Sequence, residues 1–472
     1  MIFSDADIKQ ITNHGLAVQD IEYQIADFVR GFPFADIVHP ATMVSGEIQE
    51  LNNAARQEYI DIYKGYAKTH TVIKFVPASG AATRMLRDLF TFLETGELND
   101  TARKVCEHVR MLAFYDYLKL DENATNTDIA RAIVNKYGNM PKGLVPFHKY
   151  DNGTEIRTPI AEHLVEGAKY AVSDGDNVNI HFTVSHEHHD AFENEINKIM
   201  PAYSKRFGVK YNITMSEQDP STDTIAVNPD NTPFRTEEGT LLFRPAGHGA
   251  LIKNLDKMDA DIVFIKNIDN VCTDTAAQDT IEYKQALAGM LVSIQTQIFE
   301  YICALDAGKG DVNKIAEFVK NVLCVDVAPN ADELKKILNR PLRVCGMVKN
   351  TGAPGGGPFL VKNSGLQIIE SSQIAPTSRD IMNMSTHFNP VDLVCAVRDY
   401  RGNKFDLMNY IDKDTGFISE KSYAGRPIRA MECPGLWNGA MARWNTIFVA
   451  VPITTFNPVK TIADLLTPAH NN

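Results

Sequence analysis

The chain is poor in the features that mark secreted, membrane-bound and nucleic-acid-binding proteins. Its 472 residues include seven cysteines, at positions 106, 272, 303, 324, 345, 395 and 433, with no Cys-x-x-Cys pair. That spacing argues against a zinc site and fits buried thiols in a reducing cytosol better than a disulfide framework. The opening residues, Met1 to Asp7, lack a basic segment followed by an apolar stretch, so no signal peptide is expected. No uninterrupted apolar run reaches the ~18 residues that a membrane-spanning helix needs. Basic charge is also short: 47 Lys and Arg face 59 Asp and Glu, a net charge of -12. This argues against broad association with nucleic acid or a membrane surface, while leaving room for a local basic pocket. There is no internal repeat and no low-complexity tract. The expectation is an acidic, globular, cytoplasmic protein, its oligomeric state open.

What is present reads as an alternation of helices and strands. Hydrophobic residues make up 44% and charged residues 22% of the chain, as in ordinary globular proteins. Apolar residues at three- and four-residue spacing predict helices at Asp20 to Phe32, Ile48 to Tyr66, Thr83 to Leu93, Pro159 to Val172, Ile281 to Leu305 and Val312 to Val322. Residues 99 to 138 form a further helical stretch, with a start near Asn126. Compact β-branched runs predict strands at Val72 to Val76, Asn177 to Val184, Tyr211 to Met215, Ile262 to Ile265, Leu342 to Val348, Leu366 to Ile369, Leu393 to Val397 and Thr446 to Val451. Such an order implies a mixed α/β fold with a largely parallel, doubly wound, Rossmann-like sheet. Three segments are expected. Residues 1–67 form an N-terminal helical segment, 68–400 an α/β domain with helical insertions at 99–140 and 278–338, and 401–472 a C-terminal segment packed on that domain.

The most informative stretch is Lys74-Phe-Val-Pro-Ala-Ser-Gly-Ala-Ala-Thr-Arg-Met-Leu86, a strand running into a turn of small residues that ends on Thr83 and Arg84. Small side chains let backbone N–H groups approach a ligand, and an arginine beyond them can grip phosphate oxygens. The turn has neither the Gly-x-x-x-x-Gly-Lys-[Ser/Thr] of a P-loop nor the Gly-x-Gly-x-x-Gly of dinucleotide folds. In a doubly wound sheet this turn and Asp269, which follows the apolar run 262–265, would share the carboxyl ends of the strands, where ligands bind.

The turn resembles the strand-loop signature of sugar nucleotidyltransferases, above all the UDP-sugar and UDP-N-acetylhexosamine pyrophosphorylases. Their Gly-Gly-x-Gly-Thr-Arg is matched by Ser79-Gly80-Ala81-Ala82-Thr83-Arg84, with Ser79 and Ala82 standing where that family has glycines. Further matches follow in order: Pro141-Lys142-Gly143; Thr158 to Leu164 and Val184 to Phe192; Gln218; Pro245-Ala-Gly247-His248-Gly249; Ile268-Asp269-Asn270; Glu370 after Gly365 to Ile369; His387-Phe-Asn389; and Thr455 to Lys460. The chain also resembles a bacterial family described only as a domain of unknown function, a distant branch of these pyrophosphorylases.

The resemblance implies a GT-A-like nucleotidyltransferase fold and transfer of a nucleotide from a nucleoside triphosphate to a sugar phosphate. Arg84, Lys142 and Lys460 would be catalytic cations, and Asp269 would ligate Mg2+. Ala78 to Thr83, Gln218, Gly247 and His248 would bind the nucleotide, and Glu370, His387 and Asn389 the sugar. Nucleotidyl transfer suits these residue types, because the protein mainly positions charged groups and neutralises them. Two alternatives stand beside this reading. One is a protein that keeps the fold and binds nucleotide or sugar phosphate without catalysis, suggested by Ser79 and Ala82. The other is a dinucleotide-dependent oxidoreductase, which the missing glycine fingerprint disfavours. His186-Glu-His188-His189 matches no zinc spacing and reads as a solvated first helical turn. Gly355-Gly-Gly reads as a flexible loop, and Lys284 lies on the apolar helix 281–305.

Overall fold

The computed structural model describes residues 3–352 and 356–471, so Gly355 of the glycine run lies outside the described residues. A nine-stranded sheet forms its centre. In chain order its strands are β1 (Ile48–Gln49), β2 (Val72–Pro77), β3 (Val172–Ser173), β4 (Asn177–Val184), β5 (Lys210–Glu217), β6 (Ile262–Ile265), β7 (Leu342–Lys349), β8 (His387–Ala396) and β9 (Asn445–Ala450). The order across the sheet is β1-β9-β7-β8-β6-β2-β4, with β5 on the far side of β4 and β3 turned back against its start. All strands run parallel except β8, antiparallel to both neighbours, and the short β3. The mixed, largely parallel α/β sheet expected from the alternation is the fold observed.

Strand periodicity sorts the sheet's side chains onto two faces. Val72, Phe264, Val344, Val394 and Ile447 pack on one face beneath the helix Gln278–Asp306. Phe75, Val263, Ile265, Cys345, Leu393 and Phe448 face the other way, toward Leu251, Leu255 and Trp444. By length and hydropathy the helix Gln278–Asp306 passes for a membrane span. Here it is a core helix, lying along the helix Asn53–Ala67 with Ala286 to Leu291 buried.

Several element ends shift from the sequence expectation for identifiable reasons. The helix expected from Thr83 begins at Arg87, because the preceding residues are pinned as a turn: Ala82 N–H donates to Met140 O (2.9 Å) and Leu86 N–H to Ala82 O (3.0 Å). Ser185 precedes a 3-10 turn, His186–His188, and makes no capping hydrogen bond. His186 and His189 each bond Glu217 through Nδ1 at 2.9 Å. The strand Gly365–Ile369 lies outside the central sheet, in a three-stranded sheet with Gly357–Val361 and Ile37–Pro40. Lys284 is fully buried and ion-paired with Asp392, away from the cleft described below.

A buried polar cluster anchors the chain's end. His148 bonds Glu162 through Nδ1 (2.9 Å) and His470 through Nε2 (2.8 Å). Burial, reinforced by His148, pushes His470 down to about 3. Burial likewise brings His181, bonded to Thr214 and Ser216, to about 4.

Two outcomes follow from this packing. A Cβ at position 289 would stand 1.7 Å from the Tyr59 carbonyl oxygen, so Gly289→Ala should cost about 1–3 kcal/mol in urea denaturation. Gly65→Ala, on the exposed side of the facing helix with open space around it, should be neutral or stabilising by up to about 1 kcal/mol. The second outcome concerns pH. Unfolded histidines take up protons near pH 6.5, whereas His181 and His470 stay neutral in the fold until about 4 and about 3. The unfolded state therefore binds more protons as pH drops from 6.5 toward 4, and stability must fall over that window. Unfolding free energies from urea titrations at pH 7 and pH 5 should differ by about 1–2 kcal/mol per histidine, and His181→Phe should flatten the dependence.

Candidate functional site

The carboxyl ends of β2, β4, β5 and β6 meet at a cleft of about 590 Å3. Its floor is the small-residue turn after β2. Ala81 pairs with Pro141 in an antiparallel bridge, and Lys142 N–H donates to Gly80 O (3.1 Å). These bonds bring Pro141-Lys142-Gly143 beside Ser79 to Arg84, although a helical insertion separates them in sequence. Ser79, Gly80, Ala81, Thr83 and Arg84 line the cleft, as do Lys142, Gln218, Gly247, His248 and Asp269. Arg84 is exposed and has no ion-pair partner among the described residues.

Not every expected residue faces this space. Ala78 and Ala82 are buried, the first against the core around Phe182 and the second among Met85, Leu86 and Leu89. Their methyl groups support the turn from behind. The methyl at 82, where the resembled loop has a glycine, therefore takes no room from the cleft.

Asp269 follows β6 on an extension whose backbone continues against β2, with Ile268 N–H donating to Pro77 O (3.1 Å). Beneath it, Glu166 accepts from Lys74 and Lys266, both at 2.7 Å, and His163 Nε2 donates to Ile268 O (3.2 Å). Burial alone would raise Glu166, but Lys266 and Lys74 overcome it and hold the carboxyl well below its ordinary range. Burial brings Lys74 down to about 7, and His163 well below its usual value. These buried charges fix the backbone that presents Asp269.

Lys142 donates to Asp269 Oδ2 and to Val459 O, both at 2.8 Å. Two of its three N–H donors are thus engaged, leaving one for a ligand oxygen. Asp269 Oδ1 takes no hydrogen bond among the described residues. No group of three His, Cys, Asp or Glu that could cage a metal occurs among the described residues. The donor set fits a magnesium ion held by one carboxylate together with substrate phosphates and water, the usual arrangement for that ion. It does not fit a closed protein cage.

A second cavity, about 190 Å3, adjoins the first and shares Asn267, Asp269 and Trp437 with it. Glu370, Asn389 and Lys460 line it. His387 does not: it sits at the start of β8, where its Nδ1 meets Thr386 Oγ1 at 2.8 Å. Burial raises the Glu370 carboxyl, opposed by hydrogen bonds from the Asn438 and Trp437 side chains. Lys460 is exposed, its ammonium 5.4 Å from the Phe456 ring centroid. Asn270 and Asn389 each spend Oδ1 on a backbone N–H, of Asn457 (2.8 Å) and Val391 (3.0 Å), while each Nδ2 is buried without a partner among the described residues. Unpaired buried donors are rare and call for an acceptor from water or a ligand. Two of them on one small cavity mark it as a polar site. Val391, beside them, has φ 62°, an uncommon conformation for a β-branched residue.

The loop Gly247–Leu251 interlocks with residues 433–438. A Cβ at 249 would lie 2.4 Å from Pro434 O, and a Cβ at 435 would lie 2.4 Å from His248 Nε2. The His248 ring leans on Trp437, with centroids 4.2 Å apart and planes at 42°. Burial holds His248 at about 4, so it is neutral near pH 7, and its Nε2 has no partner among the described residues. Trp437 and Asn267 are site residues absent from the sequence-based set, and Asn270 entered it only within the Ile268-Asp269-Asn270 match. Asn267 could have been read from its place beside Asp269 at the strand's end. Trp437 carries no local motif and reaches the cleft only through the interlocked loops.

Comparisons with known proteins agree with this architecture. No curated protein sequence matches the chain. Among solved structures, the fold is similar to the uridine diphosphate N-acetylglucosamine pyrophosphorylase of Trypanosoma brucei in complex with an inhibitor. The two are 11% identical with a TM-score of 0.50, over 98% of this chain and 79% of that one. A candidate UDP-N-acetylglucosamine pyrophosphorylase from Entamoeba histolytica aligns at 10% identity and a TM-score of 0.45, over 89% of this chain and 82% of that one. The mixed α/β fold is thus similar to that of the Trypanosoma brucei structure. Over residues 4–471 the sequence matches one family model, and the chain belongs to that family, described as Domain of unknown function (DUF4301).

Proposed function

We propose that the chain is a sugar-phosphate nucleotidyltransferase, joining a nucleoside triphosphate to a sugar 1-phosphate and releasing pyrophosphate. Uridine triphosphate is the favoured nucleotide, from the resemblance of the turn at 79–84 and the loop at 247–249. The name of the Trypanosoma brucei neighbour, a UDP-N-acetylglucosamine pyrophosphorylase, points the same way. The carrying observation is the shared border of the two cavities. Residues from 79 to 460 converge on it, and Asp269 sits where a phosphate chain would pass from one cavity to the other.

In this reading an oxygen of the sugar phosphate attacks the α-phosphorus in line, and the bond to pyrophosphate breaks. Arg84, exposed and unpaired, draws in the triphosphate. Lys142, already held by Asp269 and Val459, offers its remaining N–H to a phosphate oxygen without reorganising. Lys460 meets the sugar phosphate from the opposite side. Magnesium, held by Asp269 and the phosphates, would neutralise charge on the α-phosphate and the leaving group. No protein nucleophile is needed.

The silent-binder alternative rested on Ser79 and Ala82. Ala82 turns its methyl into the core, and Ser79 places only a small, exposed side chain on the rim. Neither closes the cleft, which favours the active reading.

A pyrophosphate-release screen should find turnover for at least one pairing of UTP, ATP, GTP, CTP or dTTP with a sugar 1-phosphate. Arg84→Ala and Asp269→Ala should each lower kcat/KM by about a hundredfold or more. Calorimetric binding of Mg-nucleotide without pyrophosphate release would favour the silent binder. Absence of both binding and release would end both readings.

A further inference from the structure

A hexose phosphate offers a protein two kinds of surface, hydroxyl edges and the apolar C–H faces of its ring. The smaller cavity has polar residues for the edges: Glu370, Asn270 and Asn389. An apolar face calls for a flat aromatic surface beside those polar groups.

Trp437 answers that description, and its placement is over-determined. It lines both cavities and remains partly exposed. The fully buried Arg343 guanidinium donates from Nη1 to its carbonyl oxygen at 2.6 Å, and is itself fixed by Nε to Thr446 Oγ1 at 2.9 Å. The His248 ring covers part of the indole, with centroids 4.2 Å apart, and Glu370 lines the same small cavity. A large apolar ring packed against His248 at the border of two polar cavities, on a backbone anchored by Arg343 and near a carboxyl able to accept from hydroxyls, suits a ligand with both kinds of surface.

Resting on the nucleotidyltransferase reading, we propose that Trp437 is the platform for the sugar ring, packing its indole against a C–H face of a pyranose phosphate. It is a binding residue that selects cyclic sugar phosphates over acyclic ones.

The test uses the full chain with Mg2+ and follows KM for UTP and for the sugar 1-phosphate that turns over fastest. Trp437→Leu should raise the KM for the sugar phosphate about tenfold. That rise should exceed any rise in the KM for UTP by about threefold or more, because Trp437 also lines the larger cleft, and Trp437→Phe, which keeps an aromatic face, should restore most of the sugar affinity. A fall in UTP affinity alone, no change in either KM, or an equal loss in Trp437→Phe would overturn the assignment. Tryptophan fluorescence gives a readout independent of turnover. The other tryptophan, Trp444, is buried in the core. Glucose 1-phosphate or N-acetylglucosamine 1-phosphate should therefore perturb emission in the wild type but not in Trp437→Leu, and glycerol 3-phosphate should not perturb it in either. No response to either sugar phosphate rejects the platform, even where Mg-UTP still binds in calorimetry and the parent reading stands.

Discussion

The bond between Lys142 and Asp269 is the constraint on which the site depends. Its partners lie 127 residues apart, and the same ammonium also holds the carbonyl of Val459, 317 residues beyond it. Three segments, after the first helical insertion, after β6 and near the C-terminus, are thereby tied to one nitrogen. Around that point, Val459 N–H donates to Asp269 O (3.0 Å) and Asn457 N–H to Asn270 Oδ1 (2.8 Å). The C-terminal strap that carries Lys460 is held in the same way, by Ile462 N–H on Met85 O (3.0 Å) and by His470 on His148. Cations and carboxylate are thus set before any ligand arrives, which is how electrostatic stabilisation avoids reorganisation.

The buried charges beneath this point serve the same end. Glu166 between Lys74 and Lys266, and Lys284 with Asp392, place ionised groups in a core that would otherwise be apolar. Buried pairs contribute little net stability against hydrophobic replacements but are costly to break singly. Their place under the strand extension from Lys266 to Asp269 suits holding a backbone in one register.

Much of this was legible in the sequence. Asn177–Val184 and Ile262–Ile265 begin and end where their β-branched runs do, because buried parallel strands need continuous apolar sequence. The cleft was legible because its turn combines small residues, which allow close backbone approach, with Arg84 and Lys142, residue types suited to phosphate. What stayed hidden was set by tertiary structure. β8 starts six residues before the apolar run that announced it, through Pro390 and a Val391 at positive φ, neither of which reads as strand. His387 was drawn into the sugar set by Asn389 two residues on, which a regular strand would turn to the same face, but the ladder is irregular between Phe388 and Asp392, with Val391 at positive φ. Ala82 shows the converse. The sequence position looked like a blocked glycine, whereas the fold points its methyl into the core. Trp437 had no signal at all, since only the fit of Gly249 against Pro434 brings it to the cleft.

The central claim is that residues 79–84, 142, 269 and 460 form one phosphate-handling centre between a nucleotide cleft and a sugar cavity. A crystal structure of the chain with Mg2+ and UDP-N-acetylglucosamine tests it most directly. The account predicts the base against the loop Gly247–Leu251, the diphosphate beside Arg84, Lys142 and Asp269, and the sugar in the cavity lined by Glu370 and Asn389. Density for the nucleotide elsewhere, such as the separate cavity between Tyr23 and Lys253 beneath the N-terminal helices, would contradict it.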